Sequence, residues 1–113
     1  LADGRAESPM ESEARLAMID GGLPMPELQY KIIDGNGELR RLDFAWPEFR
    51  VAVEYDGLDW HSGPDAMKRD RRRTAALADV RWVVIAIVFE DVRYRAWEMV
   101  ARIDRELRRA HAA

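Results

Sequence analysis

Asp43, the run Glu54-Tyr55-Asp56 and the nearby His61 are the residues whose types and spacing could do chemistry in this chain. The acids stand in two stretches, Arg41-Leu42-Asp43-Phe44 and Val51-Ala52-Val53-Glu54-Tyr55-Asp56, that otherwise read as buried strands. Charged side chains rarely enter such stretches unless they are paired or bind a metal. Two carboxylates brought together can hold a hard cation such as Mg²⁺, which completes its shell with water and phosphate oxygens. Such an ion polarises a phosphate and makes hydroxide available at neutral pH. His61 follows Gly57, which permits a sharp turn, and an imidazole beside a phosphate can act as general acid or base. Taken singly, each residue has a plainer reading. Asp43 could be a solvated strand-end acid, Asp56-Gly57 a turn, and Trp60-His61 a packed aromatic beside a surface histidine. Their combined spacing favours a site.

The elements that must position these residues follow from pattern. Ser8-Pro9-Met10-Glu11 is a helix start with Ser8 as N-cap and Glu11 closing a capping box, and Gly21-Gly22 with Pro24 and Pro26 ends the helix. Leu28 to Ile33 and Leu39 to Trp46 alternate as strands around the hairpin turn Asp34-Gly35-Asn36-Gly37. A tight connection at Pro47-Glu48 leads to a third strand, Arg50 to Asp56, with Val51, Val53 and Tyr55 on one face and Ala52, Glu54 and Asp56 on the other. With Trp46 opposite Phe49, Asp43 falls opposite Ala52, and Glu54 becomes its diagonal neighbour at roughly 7–8 Å. Asp65 to Ala78 reads as a helix with Met67, Ala75 and Leu77 inward. The unbroken apolar run Trp82 to Val88 fits a central strand covered on both faces. Glu90-Asp91 opens one last helix to about Arg109, with Trp97, Val100, Ile103 and Leu107 along its buried stripe. The order α-β-β-β-α-β-α implies an α/β fold with a mixed four-stranded sheet flanked by helices.

Composition narrows the class. The chain has 113 residues, 48% of them hydrophobic, which suits a single globular domain. No apolar run approaches the roughly 20 residues of a membrane-spanning helix, and no secretory leader is visible, so no membrane partner is expected. The absence of cysteine rules out disulfides and thiolate zinc sites and fits a reducing cytoplasm. Residues 1–7 are expected to be a disordered or linker tail. Residues 8–113 are expected to be one domain, the C-terminal part of a longer protein. Net charge is −3, but its distribution is uneven. Residues 1–63 hold 6 basic and 13 acidic residues, and residues 64–113 hold 12 and 8, so an acidic half with the acids of interest adjoins a basic half that could face phosphates. The densest positive segment is Lys68-Arg69-Asp70-Arg71-Arg72-Arg73. It reads either as a solvated helix face with Asp70 paired to a neighbour such as Arg73, or as a phosphate-contacting face through Arg69, Arg72 and Arg73.

Several phrases together resemble a known family. Leu42-Asp43-Phe44-Ala45-Trp46-Pro47-Glu48, Arg50-Val51-Ala52-Val53-Glu54-Tyr55-Asp56-Gly57, His61, Arg69-Asp70-Arg71-Arg72-Arg73 and Trp82, with Ser8-Pro9-Met10-Glu11 and Gly22-Leu23-Pro24-Met25-Pro26 before them, resemble the PD-(D/E)XK nuclease superfamily. Within it they resemble the domain of unknown function 559 family, related to very-short-patch-repair endonucleases. The resemblance implies a restriction-endonuclease-like fold, DNA as partner and Mg²⁺ or Mn²⁺ as cofactor. It makes Asp43 and Glu54 the acidic metal ligands, Glu11 a further acid on the first helix, Tyr55 a backbone-carbonyl ligand, and His61 the partner of Trp60 in a Trp-His pair. Asp56 departs from the pattern, because it stands where the superfamily carries lysine and where very-short-patch-repair enzymes carry histidine; it would bind a second cation or pair with His61. Ala86 also departs, where an arginine is expected. For Glu11 the capping reading and the catalytic reading are both open.

The sequence thus points to a metal-dependent endonuclease-like domain that hydrolyses DNA phosphodiesters. The missing lysine supports a rival, a catalytically silent nuclease fold serving as a DNA-binding or regulatory, antitoxin-like module. A homodimer, and a winged-helix domain preceding this one in the parent protein, are further expectations.

Overall fold

The computed structural model describes residues 8–56 and 63–112. Its elements are α1 (Pro9–Asp20), β1 (Glu27–Ile33), β2 (Leu39–Trp46), β3 (Val51–Tyr55), α2 (Pro64–Asp79), β4 (Val83–Ile87), α3 (Phe89–Tyr94) and α4 (Ala96–Ala112). The strands form one sheet in the order β1-β2-β3-β4, antiparallel except for the parallel β3–β4 pair that α2 bridges. This is the expected mixed sheet flanked by helices. The expected tail at residues 1–7 lies outside the described residues.

Local sequence explains the element ends. Ser8 Oγ accepts from the Glu11 N–H at 3.2 Å, and Pro9 opens the first turn of α1. At the other end Gly22 takes a left-handed φ of 81°, and the Leu23 N–H reaches back to the Met18 carbonyl at 3.0 Å, a Schellman ending. The β1–β2 hairpin tip is pinned to α2: the Gly35 N–H donates to the Ala76 carbonyl at 2.9 Å. Gly35 is required there, since a Cβ would stand 2.7 Å from the Asp79 Cβ.

The sheet has a core on each face. Met18, Phe44, Val53, Ile87, Ile103 and Leu107 pack on the side of α1, α3 and α4. Leu42, Ala45, Ala52, Leu77 and Trp82 form a smaller core under α2, with Tyr30 tilted against Trp82 at 6.0 Å. Only Ala76 and Leu77 of α2 are buried, so its C-terminal part alone packs on the sheet while the basic N-terminal part stands clear. Met67, expected inward, is exposed for this reason, whereas Ala75, also expected inward, is exposed because Ala76 and Leu77 take the face toward the sheet.

Four further expectations are corrected. The β2–β3 connection is Pro47 to Arg50, closed by Phe49 N–H to the Trp46 carbonyl at 2.9 Å, with Arg50 left-handed at φ 53°. Trp46 therefore pairs with Val51, and not with Phe49. β4 is an edge strand and not a central one, with Val83, Ala86 and Val88 exposed. The last helix is two helices, because the chain leaves helical geometry at Arg95 (φ −132°). Trp97, expected on the buried stripe, is 83% exposed, because in the first turn of α4 it lies off the face that Met99, Val100, Ile103 and Leu107 turn to the core.

Candidate active site

The sheet comes apart at Asp43. Every other residue of β2 has a cross-strand partner in the ladder. The β1–β2 pairs run from Ile33↔Leu39 to Glu27↔Ala45 but skip Gln29 and Asp43, and the β2–β3 pairs stop at Phe44↔Val53. The cause on the β1 side is Gln29, whose φ of 49° is left-handed inside a strand. That conformation costs a non-glycine residue about 1–2 kcal/mol. It also reverses the alternation of both strands at one rung. Leu28 and Phe44 pack under α1 and α4, whereas Tyr30 and Leu42 pack under α2. Asp43 sits at this reversal, where groups from both faces can reach it.

Continuing the β2–β3 register by one rung puts Asp43 directly opposite Glu54. Opposed side chains lie closer than the expected diagonal pair, with Cβ atoms about 4.5–5.5 Å apart. The shift from the expected register is two residues, so Asp43, Glu54 and Asp56 still gather on one side. In place of a backbone acceptor, Asp43 Oδ2 takes the Tyr55 N–H at 2.8 Å. Tyr55 thus meets the site through its backbone, while its ring packs against the core under α1 and α4.

Burial dominates the electrostatics. It pushes the Asp43 carboxyl above its ordinary range, against the Tyr55 N–H, the Gln29 amide and the Arg73 charge, which hold it down. Burial also raises Glu54, opposed by Arg73 and reinforced by the negative charges of Asp43 and Asp56. Arg73 of α2 is hydrogen-bonded and ion-paired to Glu54 Oε1. Burial works against the Arg73 charge, but Glu54, Asp70 and Asp43 outweigh it and raise the guanidinium pKa. The basic segment thus gives one of its arginines to the carboxylates, and Glu54, with Asp70 secondary, is that arginine's partner.

From the other side, Gln29 Nε2 donates to Glu11 Oε1 at 3.4 Å. Glu11 thus faces the sheet through its side chain while its backbone N–H serves the Ser8 cap. Asp56 is exposed, its N–H bonded to the Ile87 carbonyl at 2.7 Å. It lines a cleft of about 620 Å³ between the β1–β2 hairpin and α2, together with Arg40, Arg69, Arg72 and Arg73. A second cavity of about 180 Å³ adjoins it, with Glu54, Asp56 and Arg73 on its polar side and Leu77, Trp82 and Ala86 on its apolar side. Ala86, where an arginine was expected, pairs with Glu54 across the parallel strands and leaves that space open. Trp60 and His61 lie outside the described residues. Among the described residues no group of three or more His, Asp or Glu side chains is placed to hold a metal ion.

The structure therefore brings Asp43, Glu54 and Arg73 together, sets Asp56, Arg69 and Arg72 at the cleft, and joins Glu11 through Gln29. Sequence reading missed Gln29. Its one signal was a polar residue among the apolar residues of β1, which alternation alone assigns to an outward face.

Comparison with known proteins agrees with the fold. The "Homing Endonuclease I-Bth0305I Catalytic Domain" superposes with a TM-score of 0.68 over 92% of this chain and 98% of that one, at 13% sequence identity. Two curated relatives, the uncharacterized proteins MT2308 and Rv2248 of two Mycobacterium tuberculosis strains, are each 55% identical over all 113 residues. The chain spans 42% of their length. No protein-family model matches the chain, the expected domain of unknown function 559 included. Among the described residues no helix is long and apolar enough to cross a membrane.

Proposed function

We propose that this chain is a divalent-metal-dependent nuclease domain of the PD-(D/E)XK kind that hydrolyses DNA phosphodiester bonds. The observation that carries the reading is the open rung. Asp43 and Glu54 stand opposite each other in register where the strands part; burial raises both, the Asp43 charge raises Glu54 further, and Glu54 lines the cavity that adjoins the arginine-bearing cleft. Two such carboxylates, with phosphate and water entering from the cleft, suit Mg²⁺ or Mn²⁺.

Asp43 and Glu54 would hold the cation, with the Tyr55 carbonyl as a further oxygen donor and Glu11 as an acid approaching through Gln29. The cation supplies Lewis acidity at the phosphate. Asp56, exposed on the cleft wall, would take the proton of an attacking water. Arg73 opposes the burial that raises the Glu54 pKa and has further N–H donors to offer a phosphate oxygen. Arg69 and Arg72 would grip the backbone on either side of the scissile bond. His61 is proposed, from its place in the sequence, as the general acid that protonates the leaving oxygen.

Purified protein should nick supercoiled DNA with Mg²⁺ or Mn²⁺, and Asp43→Ala should abolish nicking. Cleavage that survives both EDTA and that substitution would sink the assignment. The Arg73–Glu54 ion pair, together with a carboxylate at position 56, favours a second reading, a silent nuclease fold that binds DNA. Calorimetric titration separates the two: salt-dependent DNA binding with no heat of Mg²⁺ or Mn²⁺ binding selects the silent module.

A further inference from the structure

Gln29 is the residue through which the site is opened. Three non-glycine residues have positive φ among the described residues, and Arg50 and Arg81 occupy connections, where such backbone is ordinary. Gln29 alone takes it within a strand. A left-handed residue at a rung that neither neighbour pairs across costs stability and adds no ladder hydrogen bond. What it provides is a side chain turned between two elements. Its amide carries two N–H donors. One goes to Glu11 Oε1 of α1 at 3.4 Å, and at the rung the β1–β2 ladder skips, Gln29 stands opposite Asp43 of β2, whose carboxyl pKa its amide helps to lower.

Resting on the nuclease reading, the geometry points to Gln29 as a positioning residue that spaces Glu11 and Asp43 so that both address one divalent cation. The chemistry of a primary amide suits this task. Its two N–H donors can serve two carboxylates without neutralising either, whereas lysine or arginine would cancel the charge a cation needs. A glutamate would add a third negative charge and could not donate. The same amide then accounts for the strained backbone, since only the reversed alternation turns a β1 side chain toward both α1 and the parted rung.

Gln29→Gly tests the assignment, because glycine adopts the same φ without strain and deletes only the amide. The expected result is a Tm equal to or above that of the unsubstituted protein, with Mn²⁺ affinity, titrated by calorimetry without DNA, weakened by about 10–100-fold. In plasmid nicking, kcat falls while KM for DNA holds. Gln29→Asn keeps an amide on a shorter stem and should lie between the two. A merely structural Gln29 would shift Tm and leave Mn²⁺ affinity alone, and that result overturns the inference. If the unsubstituted protein nicks DNA and Gln29→Gly binds Mn²⁺ as tightly, only this inference fails. If the unsubstituted protein neither nicks nor binds Mn²⁺, the nuclease reading fails and takes the inference with it.

Discussion

Two acids of the same hairpin, Asp34 at its tip and Asp43 in its second strand, are both withdrawn from solvent and are treated in opposite ways. Asp34 is the one buried charged residue among the described residues, and its carboxylate is fully engaged. Oδ1 accepts from the Asn36 and Glu38 N–H groups at 2.8 and 3.0 Å, and Oδ2 accepts from Arg40 Nε at 2.7 Å. The Arg40 bond, with the two backbone donors, overcomes burial and holds the pKa of Asp34 below its usual value. Asp43 accepts one backbone donor, stands opposite Glu54 in register, and is pushed up by burial, which Tyr55, the Gln29 amide and Arg73 do not offset. The difference separates an acid that builds the fold from an acid held in reserve. Three good donors make a carboxylate structural, whereas a carboxylate left short of partners and next to another acid is poised to bind something else.

Substitutions can break that contrast. The largest stability effect is expected at Asp34, because asparagine keeps an oxygen for the two turn N–H groups but sets an amide donor against Arg40 Nε, leaving Arg40 only its Glu38 ion pair. Asp34→Asn should lower Tm by roughly 5–10 °C in a domain of this size. If nicking is then measured well below the new Tm, it should persist. Loss of cleavage in a folded Asp34→Asn protein would erase the division between the two acids.

A smaller effect of opposite sign is expected at Asp43. Its raised pKa means that the folded state favours the protonated acid, so the stabilisation is complete below the unfolded pKa and is lost as pH rises through the folded one. At neutral pH the charged Asp43 therefore costs stability. Asp43→Asn should raise Tm by a few degrees at pH 7, with the gain shrinking as pH falls through the carboxylate range. For Asp34 the sign reverses. Its stabilisation is present above the unfolded pKa and fades only as pH drops through the lowered folded value, so its deficit on substitution persists to lower pH. Thermal melts of the two variants across pH would expose any failure of these opposed trends.

The smallest effects belong to the cleft. Arg69→Ala and Arg72→Ala should each weaken DNA binding uniformly across sequences and reduce the slope of log affinity against log salt by about 1. Tm should stay put. A substitution that left the salt slope unchanged would remove that arginine from the phosphate-binding wall.

The sequence made the sheet legible where one rule governed a segment. Period-two alternation located β1, β2 and β3, the Asp34-Gly35-Asn36-Gly37 turn marked the pairing of the first two, and the apolar run near Trp82 located β4. Alternation also gathered Asp43, Glu54 and Asp56, because an error of two residues in register preserves facing. What stayed hidden depended on tertiary choices. The Gln29 reversal breaks alternation in two strands at once, and no local propensity marks it. The Arg73–Glu54 pair joins distant segments. The exposure of Trp97 follows from its place at the start of α4, off the face the later apolar residues bury, which the apolar spacing alone conceals.

The four-residue connection from Pro47 to Arg50 sets a parity rule on this gene segment. Inserting or deleting two codons there would slide Glu54 along Asp43 while leaving both acids on one face. A single-codon change taken up as a register slip would send every β3 side chain to the other face, pointing Glu54 into the core beneath α4 and turning Val51 and Val53 toward α2. A slip at this turn is therefore compatible with the site only in even steps, so an odd change must be absorbed within the loop itself.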